Sequence, residues 1–390
     1  MDIYAESLEI HRRLAGKLEV TSKMKIRNKY DLSLAYTPGV AQACREIEKD
    51  VNQVYELTLK KNTIGIVSDG SAVLGLGNIG AHAAIPVMEG KAQIFKEFAG
   101  LDAFPICVET QDSREIVQLV RNIAPVFAGI NLEDISAPRC FEIENALQDI
   151  GIPVFHDDQH GTAIVCLAAL LNAAKLAEKK ISELTVVISG AGAAGTAITK
   201  LLLCVDYEKG FYDPVKEILI CDTKGILSGS RSDITNNPAK KELIRITNRS
   251  NRRGSLADAL RGADVFIGVS APDIVSIEMI RTMNPNPFIF AMSNPTPEIM
   301  PDLAKEAGAF IVATGRSDFP NQVNNALVFP GIFRGAIDVK AKRITPKMKQ
   351  VAALALASCI ENPTQDKILP TVFDSFVVPA IAKAVREAVV

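Results

Sequence analysis

Residues 184–195 read LTVVISGAGAAG, a β-branched run that stops abruptly in glycine and alanine. Thr185, Val186, Val187 and Ile188 favour a buried strand, because branched side chains pack well on a pleated surface. Gly190-Ala191-Gly192-Ala193-Ala194-Gly195 then opens the helical pattern TAITKLLLC. Between a strand and a helix, G-x-G-x-x-G lets the backbone approach a pyrophosphate and turns the helix N-terminus toward its charge. Gly190, Gly192, Ala193, Ala194 and Gly195 are therefore the expected dinucleotide-binding residues. A second run, EILIC, ends in Asp222, an acid suited to ribose hydroxyls. It follows the last glycine by 27 residues instead of ~20, an excess the insertion YEKGFYDP accounts for. An acid there favours NAD by repelling a 2′-phosphate, while Lys224 two residues on keeps NADP open.

The pattern continues outward in both directions. From Thr162 the chain alternates helix TAIVCLAALLNAAKLAEKK, strand LTVVIS, helix, strand EILICD, helix SLADALRG, strands ADVFIGVS and PFIFAMSN, helix, strand FIVATG. This predicts an α/β fold with a Rossmann-type doubly wound parallel sheet, whose ligand lies beyond the carboxyl ends of the strands. Ser270 and Asn294 follow such ends and are expected at the cofactor, with the Asn294 amide also within reach of a substrate. Upstream, NTIGIVSD, AFPICVET, PVFAGINLED and IPVFHDD are strand-like and MEGKAQIFKEFAG is helical, which predicts a second α/β unit. Residues 1 to about 60 are charged and helical, with Lys23–Lys29 a solvated or subunit-contacting face.

Composition narrows the classes of function. A chain of 390 residues with 48% apolar content can bury a large core, and a net charge of −2 without basic blocks excludes a nucleic-acid partner. MDIYAESLEI has acids where a secretory leader would be basic, and no apolar run approaches the ~20 residues of a membrane span. A cytoplasmic protein with no membrane partner is expected. Seven cysteines, an odd number without C-x-x-C spacing, predict neither disulfides nor a thiolate zinc site and read as small buried hydrophobes.

FHDDQHGT, residues 155–162, sets two carboxylates between two of the four histidines and between two apolar runs. NLEDI, residues 131–135, likewise follows a strand, so Glu133, Asp134 and Asp158 could converge at neighbouring strand ends. Three hard oxygen ligands suit Mg²⁺ or Mn²⁺. Taken singly, Asp158 would serve equally well as a cap for the helix read from Thr162.

YTPGVAQACREI, VSDGSAVLGLGNIG, PVMEGKAQIFKEFAGLDAFPI, NLEDISAP, FHDDQHGTAIV, ISGAGAAG, AMSNPTPEI and NQVNNALVFPGIFRGAID occur in this order, and together they resemble malic enzymes of the short bacterial type from Tyr36 to Asp338. The resemblance implies oxidative decarboxylation of L-malate to pyruvate and CO₂ with NAD(P) and a divalent metal, and decarboxylation of oxaloacetate besides. It puts the metal on Glu133, Asp134 and Asp158, and the base on Lys91 with a lowered pKa. It puts the acid for the enol on Tyr36 and the substrate carboxylate on Asn294 and Asn325. Asp157 is expected beside Lys91, with His156 and His160 structural. The arginine that longer relatives carry in D-G-x-R-x-L-G-L-G is Ala72 here, so Arg316 or the backbone of GLGNIG must replace it. A non-catalytic dinucleotide sensor is the rival reading, and the presence of Tyr36, Lys91 and all three acids speaks against it.

Residues 1–158, completed by 326–390, are expected to form the catalytic unit and 159–325 the nucleotide unit, with the site between them. The helical N-terminal region is too polar to form a core alone, which predicts packing against a second copy in a homodimer.

Overall fold

Strands β1 (Thr63–Ser68), β2 (Asp102–Cys107), β3 (Gly129–Leu132) and β4 (Val154–His156) pair in the order β2-β1-β3-β4, all parallel. The computed structural model that shows this describes residues 3–234 and 237–389. Every residue of β1 is buried, as a parallel strand covered on both faces requires. A second sheet has the order β10-β9-β8-β5-β6-β7. Its members are β5 (Thr185–Ser189), β6 (Glu217–Asp222), β7 (Gly225–Ile226), β8 (Val265–Gly268), β9 (Phe288–Ala291) and β10 (Ile311–Thr314). All are parallel except β7, a short antiparallel edge that the sequence did not predict.

Strand order reverses between β1 and β3 in one sheet and between β5 and β8 in the other. Loops leaving neighbouring strands at such a point diverge and open a crevice. The loops after β1 and β3 are joined by the Ala72 N–H donating to the Asp134 carbonyl at 2.9 Å.

One helix, Asp157–Leu176, links the two sheets. It starts five residues before the expected Thr162, so Asp157 and Asp158 lie in its first turn, where carboxylates favour the unpaired N–H groups and the positive end of the dipole. Asp158 is thus inside the helix and not its cap. Gly80–Ala99 also starts earlier than MEGKAQIFKEFAG suggests, and it accommodates Pro86, a residue that in isolation reads as a stop. The helix Pro238–Ile246 had no counterpart in the sequence reading.

The C-terminal helices Phe329–Asp338, Pro346–Ser358 and Val377–Glu387 return to the first sheet. Phe95 meets Phe329 and Phe333 at ring-centroid distances of 4.7 and 5.4 Å, and Phe333 reaches Phe155 at 5.9 Å. By contrast, the helices Ile3–Leu14, Lys29–Ala35 and Val40–Lys49 contain no buried residue and expose Tyr4, Leu8, Tyr30, Leu34 and Tyr36. The cysteines correct the sequence reading: Cys140, Cys166 and Cys221 are buried, Cys107, Cys204 and Cys359 are half-buried, and Cys44 is exposed. Among the described residues no helix is long and apolar enough to cross a membrane.

Phe333→Ala removes the ring that ties the C-terminal helices to the first sheet. The denaturation midpoint should fall by an amount corresponding to about 3–5 kcal/mol, as for other large-to-small core changes. An unchanged midpoint would mean that the aromatic cluster is not the tie.

Candidate active site

Parallel register brings the acids together. Leu132 pairs with His156, so the residues that follow each strand emerge side by side: Glu133 and Asp134 from one, Asp157 and Asp158 from the other. Glu133, Asp134 and Asp158 each offer a carboxylate oxygen, all within 4.8 Å of one another. Asp134 holds a left-handed backbone (φ 53°), which Asp tolerates better than most residues, and its N–H donates to Asp158 at 2.8 Å. Asn131 fixes Glu133 through its amide at 2.9 Å.

Lys91 enters from the helix Gly80–Ala99 and is buried. Its ammonium lies 2.5 Å from both Glu133 and Asp157 and 4.5 Å above the Phe329 ring. The nearby Asn325 side chain favours the ionised form of Asp157. This approach needs Gly161, because a Cβ there would sit 1.9 Å from an Asp157 carboxylate oxygen.

One cation among four acids leaves the cluster negative. Burial alone would lower the Lys91 pKa, but Asp157, Glu133 and Asp158 outweigh it and hold the ammonium above the ordinary lysine value. The expectation of a lowered lysine is therefore not met by the protein's own charges. Burial, with Asp158 as neighbour, pushes Glu133 up to about 7, and burial pushes Asp157 to about 7 against the pull of Lys91. Crowded, buried oxygen donors of this kind fit a hard dication such as Mg²⁺ or Mn²⁺. Burial lowers His156 to about 4, so its ring is neutral, consistent with a packing role.

Glu133, Asp134, Asp158, Lys91, Asn294 and Asn325 line a cleft of ≈ 1160 Å³ that also includes Gly192, Ala193, Ala194 and Ser270, with Asp157 buried behind them. A second cavity of ≈ 780 Å³ is lined by Gly190, Gly192, Asp222, Lys224, Lys240 and Ser270. Gly192 and Ser270 belong to both, so an elongated ligand can bridge them. Gly190 adopts φ 116°, Gly192 precedes the helix Ala193–Leu202, and a Cβ on Gly195 would lie 1.9 Å from the Gly190 carbonyl oxygen. Ser270 is held by Ser189 at 2.9 Å.

Asp222 differs from the expected free acid. Arg231 donates to both its oxygens, at 2.7 and 3.0 Å, and the Lys240 ammonium lies at 2.5 Å. Burial would raise this carboxyl, but Arg231 and Lys240 hold it below the usual range.

Two expected residues lie elsewhere. Tyr36 is 67% exposed and does not line the cleft. Arg316 is also absent from the lining, its guanidinium bound to Asp318 at 2.6 Å and to the Pro295 carbonyl at 3.0 Å. The cleft instead contains Lys17, whose ammonium donates to the Pro86 carbonyl at 2.6 Å. Glu298 is a further residue that sequence reasoning missed: it is fully buried and accepts the Ser270 and Ser293 N–H groups at 3.1 and 3.0 Å, tying the ends of β8 and β9 together. SNPTPE carried it in plain view, but nothing local distinguishes it from a surface acid.

Comparison with known proteins gives a consistent result. Residues 15–148 match the malic enzyme N-terminal domain and residues 159–390 the malic enzyme NAD-binding domain. The chain is 52% identical to a bifunctional malic/malolactic enzyme of Bacillus subtilis, covering 100% of this chain and 93% of that one. It is 53% identical to an NAD-dependent malic enzyme of Geobacillus stearothermophilus, covering 96% and 77%. The crystal structure of an NAD-dependent malic enzyme from Thermotoga maritima superposes with a TM-score of 0.92 at 49% identity, covering 97% and 98%.

The acid cluster predicts a pH-dependent cation effect. Glu133 and Asp157 titrate near 7 in the folded chain, well above their unfolded values, so they favour the folded state at low pH and that contribution is lost as pH rises through 7. A bound dication competes with those protons. The rise in Tm on adding Mn²⁺ should therefore be larger at pH 8 than at pH 5.5, and Glu133→Gln should remove most of the difference. A shift equal at both pH values would contradict this account of the acids.

Proposed function

The chain belongs to the malic enzyme family, and on that premise we propose that it oxidises L-malate and decarboxylates the product to pyruvate and CO₂ in the cleft between its two sheets. The observation that carries this reading is the buried Lys91 ammonium, bonded to two carboxylates opposite the glycine turn. Glu133, Asp134 and Asp158 would hold Mg²⁺ or Mn²⁺, which supplies a Lewis acid for the C2 oxygen and for the negative charge that develops on loss of CO₂. Gly190, Gly192, Ala193, Ala194, Ser270 and Asn294 would surround NAD(P), which would supply the hydride acceptor, and Gly195 packs against the Gly190 carbonyl to shape that turn.

Lys91 takes the proton of the C2 hydroxyl, for which positive charge at the acid cluster must first lower its pKa. Asp157, hydrogen-bonded to Lys91, aims the amine. Asn294 and Asn325 orient the substrate carboxylate.

Tyr36 returns a proton to C3, and its exposure outside the cleft supports delivery to a second copy's site. We infer a homodimer, because the apolar side chains exposed on the first three helices require a cover and a second copy supplies both cover and tyrosine. Residues 326–390 join 1–158 in the catalytic unit on the strength of the Phe95–Phe329 and Phe95–Phe333 contacts. NAD is the assigned cofactor, with NADP a slower second: Asp222 still faces the ribose, but Arg231 and Lys240 offset the charge that would repel a 2′-phosphate.

Purified protein with L-malate and Mn²⁺ should form reduced nicotinamide and pyruvate, faster with NAD than with NADP, and Lys91→Ala should lower kcat by roughly 10²–10⁴. Lactate formation without net reduction would overturn the assignment. Mixing two inactive variants, Lys91→Ala and Tyr36→Phe, should restore roughly a quarter of native activity if tyrosine and lysine come from different copies, because half of random dimers are hybrids with one native site each. A mixture that stays inactive would return Tyr36 to its own chain's site.

A further inference from the structure

Behind the acid cluster lies a buried carboxylate to which no role has so far been given. Glu144, on the helix Arg139–Ala146, is 6% exposed. One of its oxygens accepts the His156 N–H at 3.1 Å, and the other accepts from the Gln159 amide at 3.2 Å and pairs with the His160 ring at 2.9 Å. All three partners belong to the start of the helix Asp157–Leu176, and they flank Asp157 and Asp158 on both sides. That start has no side-chain cap of its own. A carboxylate from a neighbouring helix therefore does what a cap would do, fixing the position at which strand becomes helix.

We propose that Glu144 is a positioning residue for the cation site, setting where Asp158 and Asp157 stand relative to Glu133 and Asp134. The inference rests on the metal assignment made above. Register between β3 and β4 brings Glu133 and Asp134 beside the helix start, but register ends at His156, and beyond it the helix start sets the backbone of Asp158 while the Asp134 N–H holds its carboxylate at 2.8 Å. With Glu144 anchoring residues 156, 159 and 160, the first turn can neither unwind nor rotate. The anchor is ionised: burial would raise it, but the hydrogen bond from His160 and the charge of Lys349 on the helix Pro346–Ser358 hold it at about 2.

Mn²⁺ titration of the apo-protein followed by electron spin resonance tests this directly. Glu144→Ala should weaken Mn²⁺ binding about tenfold, in the range seen when groups supporting metal ligands are removed. Glu144→Gln, which keeps an acceptor for the His156 N–H, should fall between Ala and native, and it serves also if the Ala variant does not fold. Asn248→Ala provides a control for lost stability alone: it removes a buried side chain whose amide donates to the Leu227 and Arg252 carbonyls at 3.0 and 2.9 Å beside the second sheet, and should leave Mn²⁺ affinity native. Native affinity in folded Glu144→Ala or Glu144→Gln would overturn the proposal, as would an equal loss in Asn248→Ala. Failure of the native protein to bind Mn²⁺ at all would instead overturn the metal assignment on which it rests.

Discussion

The fold is arranged around a charge imbalance: a single buried ammonium, Lys91, faces Glu133, Asp134, Asp157 and Asp158. Burying one such acid without a partner is costly, and burying three beside a half-buried fourth is tolerable only where a lysine, backbone N–H groups and a dication share the load. The architecture supplies the lysine and the amides and sets the acids where a dication could join them. Parallel register aligns the two acid pairs, the start of a long helix presents its amides, and a helix from the opposite side inserts the lysine. The glycine at 161 clears the space that the Asp157 carboxylate occupies. Catalytic demand and folding demand therefore converge on the same few atoms: the protein is least comfortable where it is most reactive, as expected of groups whose pKa must be displaced.

The nucleotide side shows a milder form of the same tension. Asp222 occupies the place where an acid discriminates between cofactors by charge, yet Arg231 and Lys240 already engage its oxygens. On the proposed assignment, discrimination depends on how a ribose competes for that carboxylate and not on bare repulsion. Lys240 comes from the helix Pro238–Ile246, in the long connection after β7, so this property resides in a loop-borne element that can vary without disturbing the sheet.

What the sequence revealed, it revealed through local chemistry. GAGAAG was legible because only residues without bulky side chains permit φ 116° at Gly190 and the close approach of Gly195 to the Gly190 carbonyl. The parallel strands were legible because burial on both faces leaves unbroken apolar runs. The start of the helix at Asp157 was misread because two acids look like loop, whereas helix N-termini favour them. Glu144 and Glu298 could not be recognised, since each acts on a backbone amide of a segment remote in sequence, His156 for one and Ser270 for the other. Arg316 looked like a replacement cation in one dimension, but its guanidinium is bound to Asp318, while Lys17 reaches the cleft from a segment that reads as featureless surface. Motifs that satisfy themselves are readable; partnerships across the fold are not.

The helix Asp157–Leu176 begins among the acids and is buried on nearly every side, with fourteen of its 20 residues inside the protein. Adding or removing one residue would rotate everything beyond that point by about 100° and shift it by about 1.5 Å. Either Asp158 would turn away from Glu133, or the apolar half would lose its fit to both sheets. The segment therefore behaves as a ruler of fixed length, open to substitution but closed to insertion and deletion. Divergence in chain length within this lineage must be confined to connections such as 204–216, and an alignment that opens a gap between Asp157 and Leu176 would be mis-registered.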